Sequence, residues 1–494
     1  MIKKRILALV LMFVVCLTMI PSISVSAAKK DKNYSEKETE KLKAEAEDSN
    51  VPIFSEWATK DLVMGDRFNI YPLSWYENTL TAPITKEQMN QLVSGFSEKI
   101  SKAEGVTVVT GSAIEVKDNM TVQEVLNTFY TVLSNHTYTK DIELNDTFGI
   151  ESFMKENGIF IGKNGERGLT EKCTTEQACV FATRLVTYVY DKLDAASKGF
   201  LWKITKNENT IYLLGSIHVA DYSLYPFSED MLTAYEQSDA LVVEVNLNDQ
   251  EGLAAFTSFV YYSDGTTLKD HVSPESYERA VNLAAKYGIP ESMVSPLKAW
   301  YLSNFFTTMA AADSLDKEAA TATALGIDNS FMTDAIIGGK PIQEIEGYEM
   351  QGKMFDGFSG ELQEYLLNSS MDNLNETLNG TKVTDKSDTL LKRWLSAWQD
   401  GDIDSFKNAY NVDNEVLGDT FKENKYENVE ELLSEYYMAL LTNRDRGMAD
   451  YIDALLKEEG KNTYFVVVGS LHYLSNYSVL DILEEKGYEI NQIN

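Results

Sequence analysis

The sharpest alternation of apolar and polar stretches lies between Ile211 and Leu247. An apolar run, Ile211–Leu214, stops on Gly215-Ser216-Ile217-His218. A polar loop and an amphipathic stretch carrying Met231, Leu232 and Tyr235 follow, and then a second apolar run, Ala240–Val245, holds a single acid, Glu244. Short apolar runs separated by a helical period predict parallel strands covered on both faces, the arrangement of an α/β domain. The device returns at Tyr464–Val468, which ends on Gly469-Ser470-Leu471-His472. In open sheets of this kind chemistry collects at the carboxyl ends of the strands. The pattern therefore predicts two imidazoles and one carboxylate converging on one crevice.

Around these strands the periodicity is mostly helical. Lys198–Thr205 and Thr210–Gly215 read as a hairpin across a polar turn, Lys206–Asn209, and a domain boundary falls just before it. A helix is expected to begin at Ser273 or Pro274 and run to Gly288, and Trp300–Ala312 is apolar nearly all round, as in a buried helix. Gly326–Phe331, Ala335–Gly339 and Pro341–Glu346 read as a helix, a glycine stop and a short strand. Met354–Asp413 reads as helical with acidic loops and a loop tip near Asn379, and Glu430–Lys457 as one long amphipathic helix ending at Gly460.

The amino-terminal half has a different texture. Residues 1–28 have the pattern of a secretory signal: Lys3, Lys4 and Arg5, an apolar run Ile6–Ile20, and small residues at Val25-Ser26-Ala27. Residues 29–51 are nearly all charged or polar and predict a solvated linker. Across 52–197, Thr85, Thr121 and Thr174 each precede a helical period with an acid two or three residues on, the signature of a capped helix start. Recurrent units of this size predict a mainly helical, repeat-like domain.

Composition narrows the choices. With 44 basic against 76 acidic residues the net charge is −32, which argues against nucleic acid or an anionic membrane as partner. No segment after the first 28 is apolar and long enough to span a bilayer. Beyond Cys16, only Cys173 and Cys179 remain, and in an exported chain a single disulfide between them is favoured over a metal site, with two buried thiols as the alternative. Four histidines are present, and two of them stand in G-S-x-H after a strand. His136 and His271 read as surface residues.

The two G-x-x-H motifs, the segment Ser238–Val245, the hairpin Leu201–Gly215 and the terminal Leu483–Tyr488 resemble the TraB/GumN family, which includes the Tiki metalloproteases. The resemblance covers about Gly199–Asn494 and implies an EreA/ChaN-like α/β fold with a mixed sheet and many helices. Asp328, Glu346 and Gln351 match its GxD and LET-x3-Q segments, and Arg444 and Met448 match its RN-x-x-M motif. The chain departs from the family's pattern at several points. Ser216 stands where Thr is usual, Gly347 replaces a Thr and is expected to loosen its turn, and Asp445 replaces an Asn. Ser475 and Ser478 replace two loop glycines, which would strain a loop needing positive φ. Residues 52–197 resemble degenerate S-layer homology repeats (ITKEQ, MTVQE, TTEQA), which implies attachment to a cell-wall polymer.

Two imidazoles and an acid suit a divalent metal such as Mn, Co or Zn, which polarises a peptide carbonyl and acidifies its water. The expected ligands are His218 and His472, with Glu244 as ligand or general base. Arg444 would steady developing charge or orient an acid. Gly215 and Gly469 would let the backbone turn sharply, with Ser216, Ser470, Asp328 and Glu346 supporting the site. The reading is an exported or wall-associated metallopeptidase acting on a peptide or protein. The rival is a non-catalytic protein of the same fold that binds a peptide or a haem-like ligand, or a wall-anchored scaffold.

Overall fold

A computed structural model describes residues 54–109, 111–140, 142, 144, 149–162, 168–378, 390–409 and 428–493. The expected signal segment, the linker and the loop tip near Asn379 lie outside them. The chain divides into two compact units, which meet in sequence at Ala196 and Ser197.

In the first unit three helices, Lys86–Ser101, Val122–Ser134 and Thr175–Leu193, begin at Thr85, Thr121 and Thr174, and each start is a closed capping box. The closing side chain is the third helical residue, Gln88, Glu124 or Gln177, so only one of the three is an acid. Glu176 instead accepts from Ser55. The segments leading into the caps are stitched together: Cys173 accepts from the Ile84 amide and donates its own to Met120. A small two-stranded ladder, β1 (Val106–Val108) and β2 (His136–Tyr138), completes the unit. Two expectations fail here. Cys173 and Cys179 are free, buried thiols. His136 is 5% exposed, held by the Val132 carbonyl and Ser101.

The second unit is α/β. Its six-stranded mixed sheet contains β3 (Phe200–Lys206), β4 (Asn209–Ser216), β5 (Ala240–Val243), β6 (Ile342–Glu344), β7 (Thr463–Gly469) and β8 (Ile490–Gln492), in the order β6-β5-β7-β4-β3-β8. The run β6-β5-β7-β4 is parallel, and β3 is antiparallel to both β4 and β8. Strands β4, β5 and β7 are buried at nearly every position, which explains their unbroken apolar runs. Tyr235, Phe331 and Phe465 form an aromatic cluster over the sheet, extended through Phe227 to Trp398. The helix Ala299–Ser314 is buried almost all round and packs along Gly360–Leu378. Among the described residues, no helix is long and apolar enough to cross a membrane.

The order of the sheet positions the site. β7, drawn from the end of the chain, inserts between β5 and β4, with Ser216 opposite Gly469 and Val243 opposite Val467. The residues that leave these three parallel strands therefore emerge side by side.

Candidate active site

His218 and His472 are each anchored through Nδ1 by an aspartate. His218 Nδ1 lies 2.9 Å from Asp328 Oδ1, and the Ser216 hydroxyl donates to that same oxygen. Asp328 sits in the first turn of the helix Ile327–Gly338, whose start abuts the His218 backbone: a Cβ at Gly326 would fall 2.2 Å from the His218 carbonyl oxygen. His472 lies in the short helix Ser470–Leu474, and its Nδ1 is 2.6 Å from Asp445 Oδ1. A carboxyl group on Nδ1 fixes the orientation of each ring and turns Nε2 away from it. His218 Nε2 is buried with no hydrogen-bond partner, and His472 Nε2 stands 3.9 Å from Glu244 Oε1.

Glu244 is the residue immediately after β5. Its Oε1 accepts from the Gly469 amide at 2.6 Å and its Oε2 from Arg444 Nη2 at 2.5 Å. Arg444 also grips Glu346 with a two-point fork, Nε to Oε1 at 2.7 Å and Nη2 to Oε2 at 2.9 Å, and donates Nη1 to the Leu440 carbonyl. That carbonyl belongs to a π-helical turn, Met438–Thr442, which interrupts the expected continuous helix. An extra residue in one turn rotates everything beyond it by about 100°, re-aiming Arg444 and Asp445.

These contacts set the electrostatics. Burial works against the charged His218, but Asp328 outweighs it and the imidazole is pushed up to about 9. Burial, then Arg444 and His218, hold His472 well below the usual histidine range, so it is neutral. Burial lifts Glu244 against the pull of Arg444, and lifts Asp445 to about 8.

Several expected roles change. Neither Gly215 nor Gly469 adopts a positive φ. Gly215 is needed for close approach instead, since a Cβ there would lie 2.9 Å from Ser470 Oγ, the hydroxyl that donates to the Ser216 carbonyl. Gly347 does not loosen its turn: it has φ 73°, and its amide and that of Glu346 both donate to the Glu244 carbonyl. Ser475 and Ser478 are unstrained, and Ser478 caps the helix Val479–Glu485 while Tyr477 carries the positive φ. Asp445 went unassigned in the sequence, although it lies on the apolar stripe of its helix with Leu441, Met448 and Ile452, where an acid is out of place.

Among the described residues, no group of three or more His, Cys, Asp and Glu is arranged to hold a metal ion. The donor chemistry fits in part. Two imidazoles are oriented by carboxylates through Nδ1, as metal-binding histidines are, and His218 Nε2 is unpartnered. Glu244 already accepts through both oxygens, so as placed it does not offer a third ligand.

The second unit is an α/β domain with two carboxyl-anchored imidazoles and Glu244 near the carboxyl ends of neighbouring parallel strands. A family model described as the TraB/PrgY/gumN family matches residues 200–492, and the chain belongs to that family. Among curated proteins it is similar to a Metalloprotease TIKI homolog of Amphimedon queenslandica, 22% identical over 61% of this chain and 62% of that protein. Metalloprotease TIKI1 of Xenopus tropicalis is likewise 22% identical, with 61% and 62% covered. The uncharacterized protein YbaP of Escherichia coli K12 is 24% identical over 53% of this chain and 83% of its own. The chain thus spans about 62% of the length of the TIKI proteins it matches first. No solved structure matches it.

Proposed function

We propose that the second unit is a metal-dependent hydrolase of peptide bonds. The observation that carries this reading is the pair of imidazoles with carboxylate-held Nδ1 atoms, His218 with its Nε2 unpartnered and His472 with its Nε2 3.9 Å from Glu244. His218 and His472 would hold a divalent ion, which when bound supplies Lewis acidity toward a carbonyl. Glu244 serves as general base: Oε1, steadied by the Gly469 amide, takes the proton of the attacking water and returns it to the departing amine. Arg444 orients that acid, because every guanidinium nitrogen is already engaged within the chain. Similarity to proteins named metalloproteases supports the substrate class.

The test is titration of the purified chain with Mn, Co and Zn, followed by exposure to a peptide library. Stoichiometric binding lost in His218→Ala and His472→Ala, with cleavage lost by roughly 10²-fold or more in Glu244→Gln, is the expected outcome. Ligand binding indifferent to both histidine substitutions, without cleavage, would instead establish the non-catalytic reading, which the fully satisfied Glu244–Arg444 pair favours. Export and wall attachment are proposals resting on residues 1–28 and on the three capped helices. Sedimentation with cell walls through residues 52–197 tests the latter.

A further inference from the structure

The loop after β4 carries His218, and the first turn of the helix Ile327–Gly338 carries Asp328. Loop and helix start are tied on both sides of the histidine. The Ile327 amide donates to the Ile217 carbonyl at 3.1 Å, and the Ala220 amide donates to the Ala322 carbonyl at 2.9 Å. Farther along the same loop stands Tyr225, 2% exposed, which the hydrolase reading leaves without a role. Its hydroxyl donates to the Leu325 carbonyl at 2.7 Å and also meets the hydroxyl of Ser330, a fully buried residue. Tyrosine has a single hydroxyl proton and a carbonyl can only accept, so Ser330 is the donor in the second contact.

These two partners bracket Asp328. Gly326 caps the helix, so Leu325 lies one residue before the cap and Ser330 is the fourth helical residue. The Leu325 carbonyl is outside the helical ladder, whose first acceptor is Gly326, bonded by the Ser330 amide at 2.9 Å. One hydroxyl thus joins the two positions that a hydrophobic staple would join through apolar contact. Asp328, the second helical residue, is held between them. Its Oδ1 meets His218 Nδ1 at 2.9 Å, and the direction of that bond follows from where the turn sits. Packing alone does not call for the hydroxyl, which is costly to bury: the Tyr225 ring already rests on Phe227, with centroids 4.7 Å apart.

We infer that Tyr225 is a positioning residue for the site: its hydroxyl fixes the first turn of the Asp328 helix, and through Asp328 the direction in which His218 presents Nε2. The inference rests on the hydrolase reading for the ion it serves, while the orientation itself is measurable without one. The probe is cobalt(II), titrated into the full chain by calorimetry. Tyr225→Phe keeps the ring and should weaken cobalt binding about ten-fold, the lower end of the effect of removing a group that orients a metal-bound histidine. Asn209→Ala, which loosens the opposite end of β4, should leave cobalt affinity at the parental value, so that lost stability alone does not produce the change. In an Asp328→Ala background Tyr225→Phe should cost nothing further, because the hydroxyl acts only through the carboxylate. Ser330→Ala removes one half of the clamp and should act in the same direction, which provides a second variant if Tyr225→Phe fails to fold. In the metal-free chain, the ring-nitrogen resonances of isotope-labelled His218 should move in Tyr225→Phe toward their positions in Asp328→Ala, with those of His472 unmoved. Parental cobalt affinity in Tyr225→Phe, an equal loss in the Asp328→Ala background, or unmoved His218 resonances would overturn the inference. A parent chain that binds none of Mn, Co and Zn, with His218 resonances that still move, would remove the hydrolase and leave Tyr225 its role. Cobalt binding and cleavage by the parent chain, neither altered in Tyr225→Phe, would do the reverse.

Discussion

Replacing Arg444 with Ala tests whether the centre is held together by charge. The guanidinium is 2% exposed and fully engaged, by Glu244 at 2.5 Å, by Glu346 at 2.7 and 2.9 Å, and by the Leu440 carbonyl at 3.2 Å. Its removal strands two buried carboxylates near each other with no countercharge, for which breaking a buried pair costs about 3–5 kcal/mol. In a unit of this size that lowers the melting temperature on the order of 10 °C. Glu244→Gln in the same background removes one stranded charge and keeps the acceptor for the Gly469 amide. The double variant should recover a coupling energy of about 1–3 kcal/mol relative to the sum of the two single changes. The assay is urea unfolding followed by tryptophan fluorescence, since Trp202, Trp300, Trp394 and Trp398 of the chain's six all lie in this unit. A loss below about 1 kcal/mol in Arg444→Ala, or additive single changes, would refute the buried triad as the organising interaction.

Two further outcomes follow from buried polar groups. Asn209 is fully buried, accepts from the Asn462 amide, and donates to the Leu455, Leu456 and Glu458 carbonyls at the end of the helix Asn443–Lys457. Asn209→Ala should destabilise by about 2–4 kcal/mol in chemical denaturation, and a loss under about 0.5 would contradict that role. In the first unit burial lifts Asp66 to about 7 against the opposing pull of Tyr76, Tyr71 and Arg67. The folded state then keeps a proton that the unfolded chain has released, so stability is fully present below pH 4, declines as pH rises to 7, and levels off above. The fall is at most about 4 kcal/mol, and thermal melts of Asp66→Asn between pH 5 and 8 should be flatter than those of the parent chain.

Much of the second unit could be read from the chain because its signals are local. An apolar run that stops on Gly-Ser-x-His is a strand end wherever it occurs, and Glu244 stands out because an acid rarely follows four buried residues. The capped starts at Thr85, Thr121 and Thr174 are equally local, since a capping box involves one turn of chain. What misled were residues whose meaning depends on a distant neighbour. Gly215 looked like a hinge but makes room for Ser470, and Asn209 looked like an exposed turn residue but closes a helix almost 250 positions later. His136 read as a surface residue because nothing near it in sequence reveals its enclosure.

By itself, then, the order of residues determined where strands, helix starts and the chemically capable side chains occur, through periodicities and caps that act within a few residues. Only the tertiary structure decided that β7 inserts between β4 and β5, and with it that His472, Glu244 and the end of β4 become neighbours. The same packing gave Asp445 its histidine. Strand order is settled by which buried faces fit together across hundreds of residues, and no local pattern encodes that sum.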